Sequence, residues 1–160
     1  MKTVSLGPES LGNINMEDAF NLMFNKETLL MLHGSSLQTT EWHNKKRVLK
    51  FNLNVDNIPK ELRHIFCGSQ LKLTTKQEMF EKPNEINIVN KVRLHFLGAE
   101  FLKIKPIFTL NEINGEIFFS GNIEHHAIFP PPLNKIAENL MSLHTKRELD
   151  HYRDIIKSLL

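Results

Sequence analysis

The stretch PPPLNKIAENLMSLHTKRELDHYRDIIKSLL, residues 130–160, decides how the rest of the chain is read. Three prolines open it, and from Leu133 to Leu160 there is neither Gly nor Pro. Proline is tolerated in the first turn of a helix, where its missing N–H would be unpaired anyway. Ile136, Leu140 and Leu143 recur at helical spacing, and Met141, Tyr152, Ile155, Ile156 and Leu159 continue an apolar stripe. The pattern predicts one helix about 42 Å long, at about 1.5 Å rise per residue. A helix of that length cannot bury its stripe against itself, so a broad apolar surface must lie beneath it.

The preceding segment supplies that surface as strands. Glu116 to Ala127 alternates Ile117, Phe119 and Ile123 with polar residues, and Asn114-Gly115 before it is a strong hairpin signal. Phe101 to Glu112 places Leu102, Ile104, Phe108 and Leu110 on one face. Glu85 to Phe96 places Ile86, Ile88, Asn90, Val92, Leu94 and Phe96 on one face, with Asn87, Lys91, Arg93 and His95 turned to solvent on the other. Ser69 to Glu81, Lys46 to Val55 and Leu37 to His43 complete six consecutive strands. Asp56 to Gly68 is a longer connection with a helical turn at Pro59 to Ile65. Upstream, Lys2 to Leu6 reads as a short first strand ended by Gly7-Pro8. Asn13 to Asn25 and Lys26 to His33 read as two short helices, the first capped by Asn15 or Asn13 and the second stopped at Gly34. The fold class is therefore α+β: an antiparallel sheet of about seven strands, one face apolar, covered by the final helix.

Composition sets the outer bounds. A chain of 160 residues, 41% hydrophobic and 24% charged, is expected to form one domain, residues 1–160. A formal net charge of +2 argues against a dedicated nucleic-acid binder, and no nucleic-acid partner is expected. The one cysteine, Cys67, excludes an internal disulfide and fits a reducing, intracellular and cytoplasmic setting. No signal-peptide-like or membrane-spanning apolar run is present in the sequence.

The order of elements resembles the helix-grip fold of the START-like (SRPBCC) superfamily, which includes birch-pollen-allergen-type proteins and polyketide cyclases. A local pattern is similar to the VASt domains of sterol-transfer proteins: Ala19-Phe20-Asn21-Leu22-Met23-Phe24, then Thr40-Glu41-Trp42 with Arg47, then Gln70. The resemblance implies a curved sheet gripping the last helix, with a cavity for an apolar ligand between them.

Strand counting sorts the turns. His43 to Lys46, Glu81 to Glu85 and Glu112 to Gly115 fall at one end and are polar and short. At the other end, Ile58, Leu62, Phe66, Leu97, Phe101, Ile128 and Phe129 gather in the connections. These apolar loops have two readings: they close the domain by packing on one another, or they rim a cavity mouth that makes transient membrane contact. By the second reading, the first two turns of the last helix meet the ligand, and its second half is structural.

Candidate cavity residues follow from alternation: Trp42, Phe51, Ile88, Asn90, Val92, Leu94, Phe108, Phe119, Ile136, Leu140 and Leu143. Asn90 is polar on a buried face and needs a hydrogen-bonding partner, Gln77 or Thr75 across the sheet, or a ligand. His125-His126 point to opposite faces and do not form a metal site, and Cys67 has no base beside it; no metal, cofactor or catalytic residue is called for. The polar run His144, Lys146, Arg147, Glu148 and Asp150 reads as a solvated break in the helix stripe, or else as a polar spot reaching the cavity. The functions weighed are non-catalytic binding or transfer of a sterol, phospholipid or fatty acyl chain; a cyclase- or hydrolase-type enzyme in the same cavity; and an interaction module whose cavity the 11 phenylalanines fill.

Overall fold

Asn114 and Gly115 both adopt positive φ, 53° and 79°, the conformation a tight hairpin between right-twisted strands requires. They join β6 (Ala99–Ile113) to β7 (Glu116–Ala127). The computed structural model describes residues 2–53, 60, 71–96, 99–128 and 130–159. Its other elements are β1 (Lys2–Gly12), α1 (Met16–Phe24), α2 (Lys26–His33), β2 (Gln38–Thr39), β3 (Lys46–Leu53), β4 (Leu71–Lys82), β5 (Glu85–Phe96) and the final helix α3 (Leu133–Leu159).

The strands form one antiparallel sheet in the order β1-β7-β6-β5-β4-β3-β2. From β2 to β7 it is the expected meander. β1 joins at the far edge, beside β7, so α1 and α2 carry the chain from one edge of the sheet to the other. The polar turns gather at one end, where the Glu112 N–H donates to the Asn84 carbonyl at 2.8 Å and the Met79 N–H to the Lys45 carbonyl at 2.8 Å.

Asn15 caps α1, its Oδ1 accepting from the Asp18 N–H at 2.7 Å, and Asn25 caps α2 on the Thr28 N–H at 2.7 Å. Gly34, at φ 86°, ends α2 with its N–H donating to the Leu30 carbonyl.

Two expected boundaries are corrected. β1 does not stop at Gly7-Pro8 but continues to Gly12, with register shifts between Leu6 and Glu9 and between Ser10 and Gly12. Gly7, at φ 81°, sits against the Phe119 carbonyl, where a Cβ would come within 2.6 Å, so the break the sequence signals is a bulge. The strand expected from Leu37 to His43 is reduced to Gln38–Thr39. Beyond it Thr40 stays beside β3, its Oγ1 accepting from the Val48 N–H at 2.9 Å.

The core lies between the inner sheet face, α1 and α3. Leu11, Ala19, Met23, Ile88, Ile117 and Phe119 are fully buried. Phe24, Phe108, Phe119 and Tyr152 form an aromatic cluster with centroids 5.5–6.3 Å apart. Gly121, opposite Phe108 in the sheet, leaves room for that ring: a Cβ there would lie 3.0 Å from two of its carbons. An ion pair between Arg153 of α3 and Glu9 of β1, 2.9 Å, ties the helix to the edge strand.

Candidate functional site

Between the inner sheet face, α2 and α3 the packing leaves a cavity of about 90 Å³. Most of its wall is aliphatic or aromatic: Leu29 and Leu32 from α2, Leu49 and Phe51 from β3, Leu73 from β4, Val92 from β5, Ile104 and Phe108 from β6, and Met141 and Leu149 from α3. The polar groups on the wall are Thr75, Gln77, Asn90, His33, Thr145, Glu148 and the Tyr152 phenol.

On the sheet side these groups belong to a continuous chain. Arg47 Nε donates to Gln77 Oε1 at 2.5 Å, and Arg47 Nη2 to the Phe24 carbonyl at 3.3 Å. Gln77 Nε2 donates to Asn90 Oδ1 at 2.7 Å, and Asn90 Nδ2 to the Pro106 carbonyl at 3.2 Å. Register creates this chain: Arg47 lies opposite Gln77, and Gln77 opposite Asn90. Pro106 has no N–H for the ladder, and the Asn90 amide engages its carbonyl from the inner face. Arg47 also stacks on Trp42, 4.4 Å from the ring centroid. Burial pulls its guanidinium down to about 10, against the opposing pull of Tyr152 and Glu41, and it remains charged at neutral pH.

On the helix side, His125 is fully buried, with Nδ1 3.4 Å from the Lys2 carbonyl and Nε2 2.5 Å from Thr145 Oγ1. A carbonyl can only accept, so Nδ1 carries the proton and Nε2 accepts from the Thr145 hydroxyl. Burial holds His125 below its ordinary value, outweighing the Lys2 carbonyl, Glu148 and Glu138. His33 stacks on Phe51 at 4.3 Å. Burial lowers it as well, with Glu148 pulling the other way. The Tyr152 phenol is pushed up by burial first and by Glu148 second, against Arg47, and stays neutral at all ordinary pH.

Of the candidates read from alternation, Phe51, Asn90, Val92 and Phe108 come together on the cavity wall. Ile88 and Phe119 point inward but sit in the packed core beside it. Trp42 is held between Phe20, 5.9 Å away, and Arg47, off the cavity. Leu143 is corrected: it is 59% exposed, on the solvent side of α3. The helix carries two competing stripes, and the one that faces the sheet runs through Ala137, Met141, Thr145, Leu149, Tyr152 and Ile156. The expectation that the second half of this helix is merely structural is corrected with it, since Glu148, Leu149 and Tyr152 line the cavity. The side chains of Leu94, Ile136 and Leu140 lie outside the described residues. So do those of Ile58, Leu62, Phe66, Leu97, Phe101 and Phe129 at the expected mouth, while Ile128 is 50% exposed. Alternation could not reveal His33, Glu148 or Tyr152, because helices α2 and α3 meet the sheet only in the tertiary fold. Spacing of four, seven and eleven residues from Met141 to Thr145, Glu148 and Tyr152 was the available signal. Among the described residues no group of three or more His, Cys, Asp or Glu is placed to hold a metal ion, and no helix is long and apolar enough to cross a membrane.

No protein-family model matches the chain, and no curated protein sequence matches it significantly. Solved structures do. Protein TTHA0849 from Thermus thermophilus superposes with a TM-score of 0.57 at 10% identity, covering 98% of this chain and 95% of that one. Ara h 8.0201, a Bet v 1-like protein, gives 0.57 at 12% identity over 98% and 99%. An uncharacterised Rhizobium leguminosarum protein gives 0.53 at 7% identity over 98% and 95%. At these identities the likeness shows the fold alone, which is the helix-grip architecture.

Proposed function

We propose that this chain binds a largely apolar small molecule, without catalysis, in the cavity between sheet, α2 and α3. The observation that carries the reading is the wall itself: a mostly apolar surface on which a few polar groups converge, the usual make-up of a small-molecule site. Each Å² of apolar ligand surface removed from water contributes about 25 cal/mol. The amide pair Gln77–Asn90 and the Glu148, Tyr152 and His33 side chains give the wall its polar spots, against which a hydroxyl or carboxyl at the ligand's polar end would lie. The ligand class is a sterol, phospholipid or fatty acyl chain, exchanged in transient contact with a membrane at the apolar-loop end. The VASt-like pattern favours a sterol, and two of its residues, Trp42 and Arg47, stack on each other. Ligand pockets usually measure about 300–1,000 Å³. The cavity measures about 90 Å³, smaller than that, so binding as proposed requires α2 or α3 to part from the sheet.

The test is native mass spectrometry of purified protein followed by solvent extraction. A co-purifying lipid, or a stoichiometric mass shift on incubation with sterol, fatty acid or phospholipid, is expected. Protein that stays unliganded with all three refutes the proposal.

A second reading, an acid–base enzyme in the same cavity, is favoured by Glu148 and His33, a carboxyl and an imidazole on one wall. Glu148→Gln separates the two: a carrier keeps its function, whereas an enzyme loses turnover while still binding.

A further inference from the structure

The outer face of the sheet carries charge that the net count of +2 conceals. Lys50, Lys72, Lys76, Lys91, Arg93, Lys103 and Lys105 are all exposed. Register stacks them in rows across the strands. Lys76 of β4 lies directly opposite Lys91 of β5, and the flanking pairs Val89–Ile107 and Val92–Ile104 set Lys91 opposite Lys105 of β6. In the next row Lys50 lies opposite Thr74, Thr74 opposite Arg93, Arg93 opposite Lys103, and Lys103 opposite His126 of β7. Lys72 opposite His95 begins a third row. Strands about 4.8 Å apart and rows about 6.8 Å apart bring the seven cations onto a patch on the order of 15 Å across.

Like charges placed directly opposite in a sheet are destabilising. This face tolerates that at three cross-strand positions. Among the described residues, the acids that border it are Glu78, ion-paired with Lys46 at 3.8 Å, Glu124 opposite Lys105, and Glu100 at the register position opposite His95 in the third row. The 13 remaining cations of the chain's 20 are outnumbered by its 18 acids, so the charge is segregated rather than general. The rows occupy the half of the sheet farther from the polar turns, and they run at His126 and Ala127 toward the exposed Ile128.

We propose that this face docks on an anionic phospholipid bilayer. Six of the seven cations are lysines, which act as point charges toward a diffuse anionic surface, whereas bidentate recognition of individual phosphates favours Arg. Among the described side chains no Phe, Tyr or Trp stands among them to stack a base, as single-stranded nucleic acid would need; Phe80 and Phe118 lie on the same face but toward the polar turns. Docking in this way brings the apolar-loop end to the bilayer. It does not depend on what the cavity holds.

The experiment is co-sedimentation of the full chain with phosphatidylcholine vesicles, with and without phosphatidylserine. Binding only to the serine-containing vesicles is expected, with loss as salt shortens the Debye length to about 3 Å. A lysine near an anionic surface contributes roughly fivefold in affinity, so Lys76→Gln, Lys91→Gln and Lys105→Gln together weaken binding on the order of a hundredfold. These changes relieve repulsion and leave the thermal transition intact. Neutralising exposed α3 lysines instead, by Lys135→Gln, Lys146→Gln and Lys157→Gln, changes little. The cavity-filling Val92→Phe leaves vesicle binding unchanged even if it abolishes ligand binding. Absence of binding to serine-containing vesicles, or equal loss in the α3 variant, overturns the proposal. So does a face-dependent affinity for duplex DNA or RNA oligonucleotides without vesicle binding.

Discussion

Replacing Asn90 by Ala cuts the buried polar chain in its middle. Asn90 is 2% exposed and Gln77 4%. Without the Asn90 side chain, Gln77 Nε2 loses its acceptor and the Pro106 carbonyl loses a donor. A buried polar group left unsatisfied costs about 1–3 kcal/mol, so two cost about 2–6 kcal/mol in total. For a chain of this size Tm moves by about 2–4 °C per kcal/mol, a fall of about 4–24 °C. Urea unfolding followed by the fluorescence of Trp42 measures the same loss at equilibrium. If the chain acts as a unit, Gln77→Ala and Asn90→Ala are non-additive, with a coupling of about 1 kcal/mol or more in a double-mutant cycle. A loss below about 0.5 kcal/mol for Asn90→Ala, or strict additivity of the pair, refutes this reasoning.

Three further outcomes are expected. His33 and His125 both have folded values lowered by burial from 6.5, so as pH falls the unfolded chain takes up protons first. Stability is then full above about pH 6.5 and declines below it by up to about 1.4 kcal/mol per unit for each histidine, and His125→Gln reduces that slope by about half in urea midpoints measured from about pH 8 to pH 5. On α3, Leu143→Glu changes stability by less than about 0.5 kcal/mol, whereas Leu149→Ala, at a position 3% exposed, costs about 2–5 kcal/mol in the same denaturation assay. Gly121→Ala presses a Cβ against the Phe108 ring and costs about 1–3 kcal/mol, a loss that Phe108→Leu partly relieves when the two are combined and melted by calorimetry.

The sheet was legible because one face is buried and the other is wet. In β5, β6 and β7, side chains of period two sort themselves unambiguously, and Asn114-Gly115 fixes a hairpin by its backbone alone. What stayed hidden needed partners distant in sequence. Gly7-Pro8 reads as a stop, yet β7 continues to pair with β1 beyond it because the bulge absorbs the irregular residues. Leu143 and Leu149 are equally apolar in the sequence, and only contact with the sheet decides which of two helix stripes turns inward. Asn90 announced a buried polar group. Gln77, one of the two cross-strand partners expected for it, does meet it; the extension to Arg47 is set by strand register, as is the stacking of lysines on the outer face, where each strand separately reads as ordinary solvated alternation.

The central claim, that an apolar ligand occupies the space between sheet, α2 and α3, is tested most directly by titrating a fluorescent fatty acid into the protein and into Val92→Phe. Val92 lies on the cavity wall, and the added ring fills the site from within. The account predicts saturable, stoichiometric binding by the natural chain and its loss in the variant, with the thermal transition of both preserved. Equal binding by both proteins, or none by either, contradicts it.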